Sequence, residues 1–246
     1  MGLDKYILSF KLSFKVSNLL MSVSGILLGA LLAASDFHVS IPAVICLILS
    51  VLAFQLIPNI IPGVLCALAS IYFSYGTLFL LDSFILMLLG YLVYRTVKRH
   101  GSNEGLFRNG LVMTLSSLLI YGIIPVFGAY YVCTHSFGTK LLFLPALSAG
   151  ALCLAVRNGD YLVDIRNRIF HTGWIVAGLA LMAVYSFMRI YDPWHFLYIA
   201  AIPLIIALVA LVWKNKGNVR SYEVTFASAV LIFCILSGLG FVIYLF

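Results

Sequence analysis

Charge is what this chain has least of. Only 9% of its 246 residues are Asp, Glu, Lys or Arg, where a soluble domain carries about 25%. With 63% hydrophobic residues, a water-soluble body would go uncovered, so most of the outside must face lipid. Paired cysteines are also missing. Cys46, Cys66, Cys133, Cys153 and Cys234 are odd in number, scattered through apolar runs and without a CxxC. That excludes a disulfide framework or zinc site written in the sequence and leaves small apolar packing residues. No glycine-rich phosphate loop is present, and serine, histidine and acid never converge along the chain. His38, His100, His135, His171 and His195 lie in different gaps without ligand spacing, which predicts interfacial residues. No internal repeat supports an inverted-repeat transporter. No cleavable signal is evident, because the first long apolar run, from near Ser17, has the length of a span.

What is present is a series of apolar stretches separated by short polar gaps, with the basic residues in alternate gaps. Lys5, Lys11 and Lys15 form one group; Arg95, Lys98, Arg99 and Arg108 a second; Arg157, Arg166 and Arg168 a third; Lys214, Lys216 and Arg220 a fourth. Of the fifteen basic residues only Lys140 and Arg189 fall elsewhere. If the stretches cross a membrane, this is the positive-inside bias of a polytopic protein, with its N-terminus in the cytoplasm and a bacterial inner membrane as the expected location. The formal net charge of +7 flanks spans and makes no continuous patch, which argues against nucleic acid as a partner and for membrane lipid.

A crossing helix needs roughly 20 apolar residues. The pattern predicts an all-α bundle of about nine transmembrane helices, near 17–35, 40–58, 61–80, 82–97, 109–134, 140–157, 170–189, 195–213 and 223–246, in a single domain over 1–246. Lys11 and Lys15 suit a short amphipathic helix on the inner face. Asp82-Ser83 and Asp192 before Pro193 can open helices. Tyr191, Trp194 and Tyr198 read as an outer aromatic belt. Thr114, Ser116, Ser117 and Tyr121 read as helix–helix hydrogen-bonding groups.

The eight acids contain one close pair, Asp160 and Asp164, within Arg157-Asn158-Gly159-Asp160-Tyr161-Leu162-Val163-Asp164-Ile165-Arg166-Asn167-Arg168. A spacing of four places both carboxylates on one helix face. Beside three arginines they form a candidate seat for one magnesium ion held against a phosphate. Mutual neutralisation of acids and arginines in an interfacial loop is the alternative. Asn59 sits between Pro58 and Pro62, with Gln55 one turn earlier. Amides so placed face a bundle interior or bond the carbonyls that a proline frees.

Several segments resemble the UbiA superfamily of membrane prenyltransferases, nearest the dihydroxynaphthoate polyprenyltransferases of menaquinone synthesis. Ser24-Gly25-Ile26-Leu27-Leu28-Gly29-Ala30 looks like that branch's first span, with Lys15 where the family has a basic residue. Gln55-Leu56-Ile57-Pro58-Asn59 is similar to its Gln-Ile-Gly-Thr-Asn approach to the first aspartate motif. Phe127-Gly128-Ala129-Tyr130-Tyr131-Val132, with Thr134, resembles Gly-Thr-Tyr-Tyr-Val-Gln-Thr. Leu144-Pro145-Ala146-Leu147-Ser148-Ala149-Gly150 leads into a region like the second motif, Asn-Asn-Leu-Arg-Asp-Ile-Glu-Thr-Asp-Arg. The first motif's aspartates are replaced by Pro62, Gly63 and Cys66. In the second, one aspartate maps to Asp164 and the other to Arg168, with Asp160 one turn earlier as a substitute. The resemblance implies a UbiA-type fold and an isoprenoid or polyprenyl diphosphate ligand. Its site would draw on Asp160 and Asp164 as catalytic and metal-holding residues, and on Gln55, Asn59, Lys15, Arg157, Asn158, Arg166 and Arg168 for substrate. It also implies Mg2+ as cofactor. A bundle that has lost the chemistry and binds lipid, or serves as a membrane subunit, is the alternative. Small-solute transport is weaker, because no span carries a charged pathway near its middle.

Overall fold

The computed structural model describes residues 16–36, 38–56, 61–76, 118–136, 142–157, 165–189, 193–214 and 220–243. Within them every regular element is helical. The chain forms two compact units, residues 1–14 with 40–116, and residues 15–39 with 117–246.

The described part of the first unit is a helix pair, α2 (Ile41–Leu56) and α3 (Ile61–Tyr75). Buried Ser70, late in α3, donates to the Ala43 carbonyl near the start of α2 at 2.7 Å, so the two helices run antiparallel. Of the expected span 61–80, residues 77–80 lie outside the described ones; α3 ends at Tyr75, and Gly76 takes a left-handed φ of 77° with its N–H on Tyr72 O at 2.9 Å. Glycine bears no steric penalty in that conformation, so it caps the helix.

The second unit is built around α1 (Val16–Ala34), which packs on α8 (Arg220–Ile243), α4 (Ile124–Thr134) and α5 (Phe143–Arg157); α5 also packs along α6 (Ile165–Arg189), and α7 (Ile202–Lys214) lies against α8. In lipid, helices gain little from burying apolar surface against one another, and close backbone approach matters more. Gly25 and Gly29, four apart on α1, supply it. A Cβ on Gly25 would sit 2.7 Å from the Pro125 ring, and one on Gly29 would overlap the Val126 backbone. On the far side Gly122 meets Ala146 and Gly150 of α5 in the same way.

Prolines set the irregularities. Leu119–Ile123 winds as a π-helical turn, with Ile124 N–H on Leu119 O, immediately before Pro125. Pro125 lacks the N–H that would reach Tyr121 O, and its ring pushes that carbonyl aside, so the turn widens. Pro193–Ala201 winds as a 3-10 helix before α7. Three residues per turn put His195, Tyr198 and Ala201 on one buried face. Tyr198, expected in an outer belt, is therefore only 3% exposed, whereas Trp194 is 49% exposed as a belt residue would be. His195 is likewise buried, stacked on Phe241 at 4.5 Å. α4 ends at His135, whose left-handed φ of 59° lets its N–H close on Tyr131 O.

Four helical stretches are long and apolar enough to cross a membrane: Val16–Ala34, Arg168–Arg189, Trp194–Lys214 and Tyr222–Ile243; Ile41–Ala53, Ile61–Tyr75, Leu119–Thr134 and Phe143–Val156 are shorter apolar helices. Every expected span except 82–97, which lies outside the described residues, contains described helix. Ile169, Val176, Val184 and Phe187 form an exposed apolar face on α6, the arrangement of a helix whose solvent is lipid. All five cysteines are free, and Cys133, Cys153 and Cys234 are buried, as packing residues would be.

Candidate functional site

Polar groups inside such a bundle are costly unless partnered; in the second unit Ser24, Ser148 and Ser237 bond backbone carbonyls within the bundle, and the charged and aromatic polar groups lie towards its two ends. Hydrogen bonds fix which ends coincide. Tyr121 Oη, in the turn before α4, donates to Asn18 Oδ1 on α1 at 3.3 Å. Tyr130 Oη, towards the end of α4, donates to Asp36 Oδ2 just past α1 at 2.6 Å. Thus α1 and α4 run in the same direction. His171 near the start of α6 meets Ala155 at the end of α5 and Tyr222 at the start of α8. Trp213 at the end of α7 donates to Thr172 at 3.1 Å. So α1, α4, α6 and α8 point one way, and α5 and α7 the other. The helix termini at Arg157, Arg168, Lys214 and Arg220 accordingly share one end, the end the alternation of charge predicts.

At this basic end a belt of side chains joins the helices. Ser17 is 2% exposed and donates to Glu223 Oε1 at 2.7 Å. The Glu223 carboxylate lies in the first turn of α8, where the helix dipole favours a negative charge. His171, fully buried, has Nδ1 2.8 Å from Ala155 O and Nε2 2.8 Å from Tyr222 Oη. A carbonyl only accepts, so Nδ1 carries the proton. In the neutral ring Nε2 then accepts from the tyrosine hydroxyl. Tyr222 and Phe226 pack on the imidazole at 5.8 and 5.4 Å and stack on each other at 5.6 Å. Arg168 is 8% exposed, and its carbonyl accepts from Thr172 Oγ1 at 2.9 Å.

The opposite end holds a second set. Besides Tyr130 and Asp36, Arg189 donates through Nε and Nη2 to Tyr185 Oη at 3.2 and 3.1 Å. Ser186 donates to His195 O at 3.0 Å.

Of the sequence-derived site residues, Asp160, Asp164, Asn158, Asn59 and Lys15 lie outside the described residues. Gln55, Arg157 and Arg166 lie on described helices, in the last turn of α2, at the last residue of α5 and in the first turn of α6, and their side chains are not among the described ones. Arg168 is described and buried at the basic end. Pro62, Gly63 and Cys66 occupy the first turns of α3, with Gly63 buried and Cys66 half-buried. Among the described residues no three His, Cys, Asp or Glu side chains come close enough to hold a metal ion. His171 was expected as an interfacial histidine, and its full burial between two partners corrects that. The available signal was positional: His171 and Tyr222 each stand at the start of a span on the basic side. Tyr121 does join two helices, as its place in the polar run predicts.

Apolar helices laid side by side, with charge confined to their ends, define an integral membrane protein. Its sequence is similar to that of the 1,4-dihydroxy-2-naphthoate octaprenyltransferase of Escherichia coli (strain K12), with 26% identity over 123 residues, covering 43% of this chain and 40% of that protein. The chain thus matches less than half of that relative's length. The similarity supports a distant relation to UbiA-type membrane prenyltransferases. No family model matches the chain, and no solved structure does.

Proposed function

We propose that the chain is a UbiA-type membrane prenyltransferase homologue that binds an isoprenoid or polyprenyl diphosphate in a cavity opening at the basic end of the bundle. The observation that carries this reading is the partial similarity to the octaprenyltransferase. The gathering of Arg157, Arg168, Lys214 and Arg220 at one end supports it, because a diphosphate needs cationic partners and its chain needs an apolar interior. On this reading there are nine spans, the N-terminus is cytoplasmic and the basic end faces the cytoplasm of a bacterial inner membrane. Arg157, Arg166, Arg168, Lys15 and Asn158 attract the diphosphate, Gln55 and Asn59 are the amides that the resemblance assigns to substrate, and Asp160 and Asp164 are the carboxylates on which any magnesium would depend.

A second reading, a non-catalytic bundle that binds an isoprenoid or lipid, is favoured by one specific observation. Pro62, Gly63 and Cys66 stand in the opening turns of α3, where the family's first aspartate motif would fall, and none supplies the hard oxygen ligands magnesium requires. Departure of a diphosphate needs strong electrostatic stabilisation, and one carboxylate pair provides less than two. Purified protein given an allylic diphosphate, magnesium and an aromatic acceptor separates the readings. Prenyl transfer that disappears in Asp164→Ala establishes an enzyme. Diphosphate binding without transfer establishes the second reading. No binding in either the presence or the absence of magnesium removes both.

A further inference from the structure

The polar belt contains one feature that a packing role alone does not require. Ala155 belongs to the last turn of α5, whose terminal carbonyls have no partner within their own helix. His171 Nδ1, reaching across from α6, caps that carbonyl at 2.8 Å. Its other nitrogen is tied at 2.8 Å to Tyr222 Oη on α8, and the ring is held between Tyr222 and Phe226. One imidazole therefore fixes the end of α5, the start of α6 and the start of α8 against one another. The first two carry Arg157 at the last residue of α5 and Arg168 one turn into α6.

We propose that His171 and Tyr222 are positioning residues for diphosphate binding: they lock the facing ends of α5 and α6, the helix ends to which Arg157 and Arg168 belong, in the spacing that receives one phosphate group. This rests on the diphosphate reading above and adds to it the device that sets the site's geometry. The chemistry explains the choice of residue. A guanidinium binds phosphate through paired, directional N–H bonds, so a shift of an ångström between two helix ends costs binding that simple charge attraction would retain. Imidazole suits the task, since it donates and accepts on opposite sides of a rigid ring. Leucine fills similar space and does neither.

The test uses the full chain in nanodiscs and farnesyl diphosphate as the probe, with binding read by calorimetry and folding by thermal melting. His171→Leu should weaken binding about tenfold, the loss typical when a group that orients a ligating residue is removed. His171→Asn, which can still cap Ala155, should recover most of that loss. Tyr222→Phe, which removes only the hydroxyl, should fall between. Tyr130→Phe at the opposite end is the control: it should lower the melting temperature and leave binding unchanged. Wild-type affinity in His171→Leu, or equal weakening by His171→Leu and Tyr130→Phe, overturns the positioning role and leaves the diphosphate reading standing. If the wild-type chain does not bind the probe, the diphosphate reading itself fails and the positioning role falls with it.

Discussion

The two ends of the second unit solve the same problem with different means. Both must satisfy polar groups where helices leave the apolar interior. At the opposite end the contacts include Tyr130 to Asp36, Arg189 to Tyr185 and Ser186 to His195, with Tyr185 and His195 both packed on Phe241 of α8. At the basic end hydrogen bonds join α1, α5, α6 and α8. Glu223 and Tyr222, neighbours on α8, connect to Ser17 on α1 and to His171 on α6, and His171 continues to α5. A contact set that includes a fully buried histidine constrains several elements at once, and breaking it strands buried polar atoms. The difference teaches that the basic end ties its helices through one buried imidazole, at the place where the positive charge also collects.

The strongest way to break the comparison is to remove the scaffold that both ends share. Gly29→Leu places a side chain into the Val126 backbone, midway between the ends. It should cost about 3 kcal/mol or more through overpacking, seen as loss of monodisperse protein in detergent. If the variant melts like the wild type, the close α1–α4 approach is wrong. Next is His171→Leu, which leaves the Ala155 carbonyl and the Tyr222 hydroxyl buried without their partner. A loss of about 2 kcal/mol is expected, measured by urea or thermal unfolding in micelles. A neutral effect would mean that the basic end is no more tightly specified than the other.

Much of the fold was legible because lipid leaves the sequence little freedom. The apolar runs gave helices at nearly the expected positions, and the alternation of Lys and Arg gave the common end of Arg157, Arg168, Lys214 and Arg220. What sequence reasoning missed follows from local backbone chemistry. Tyr198 and His195 looked interfacial under a 3.6-residue period, but after Pro193 and before Pro203 the chain winds three residues per turn and buries both. α3 looked longer because Phe79, Leu80 and Leu81 continue the apolar run, while Gly76 stops the helix. His171 looked like one of several unrelated histidines, since its partners lie 16 and 51 residues away and no spacing rule links them. The Gly25–Gly29 seam was visible as a small-xxx-small pattern and was read only as a family likeness. The candidate carboxylates Asp160 and Asp164 rest on sequence alone.

Sharper distinctions come from smaller perturbations. Tyr130→Phe removes one hydrogen bond to a carboxylate at 2.6 Å, and with Tyr130 buried the loss should be about 1.5 kcal/mol. It should be smaller than that of His171→Leu, because a single acceptor is affected and Asp36 sits in a turn at the edge of the bundle. An equal or larger loss in the same unfolding assay would reverse the ranking of the two ends.

The smallest effect expected is that of Arg189→Gln. Arg189, at the opposite end, is half-buried and donates twice to one acceptor, the Tyr185 hydroxyl, with its guanidinium 5.5 Å from the centre of that ring. Two bonds sharing one oxygen are worth less than two separate ones, and a cation over an aromatic face at a partly exposed site adds about 0.5–1 kcal/mol. Glutamine can still reach the hydroxyl, so the net loss should be about 0.5 kcal/mol. The substitution also removes one of the two basic residues that break the alternation of charge. Reporter fusions after Gly101 and after Asn215 should therefore report the same orientation as in the wild type, since a charge bias is only increased. A change of orientation would mean that Arg189 itself sets the topology, and the contrast between the two ends would fail at its charge argument.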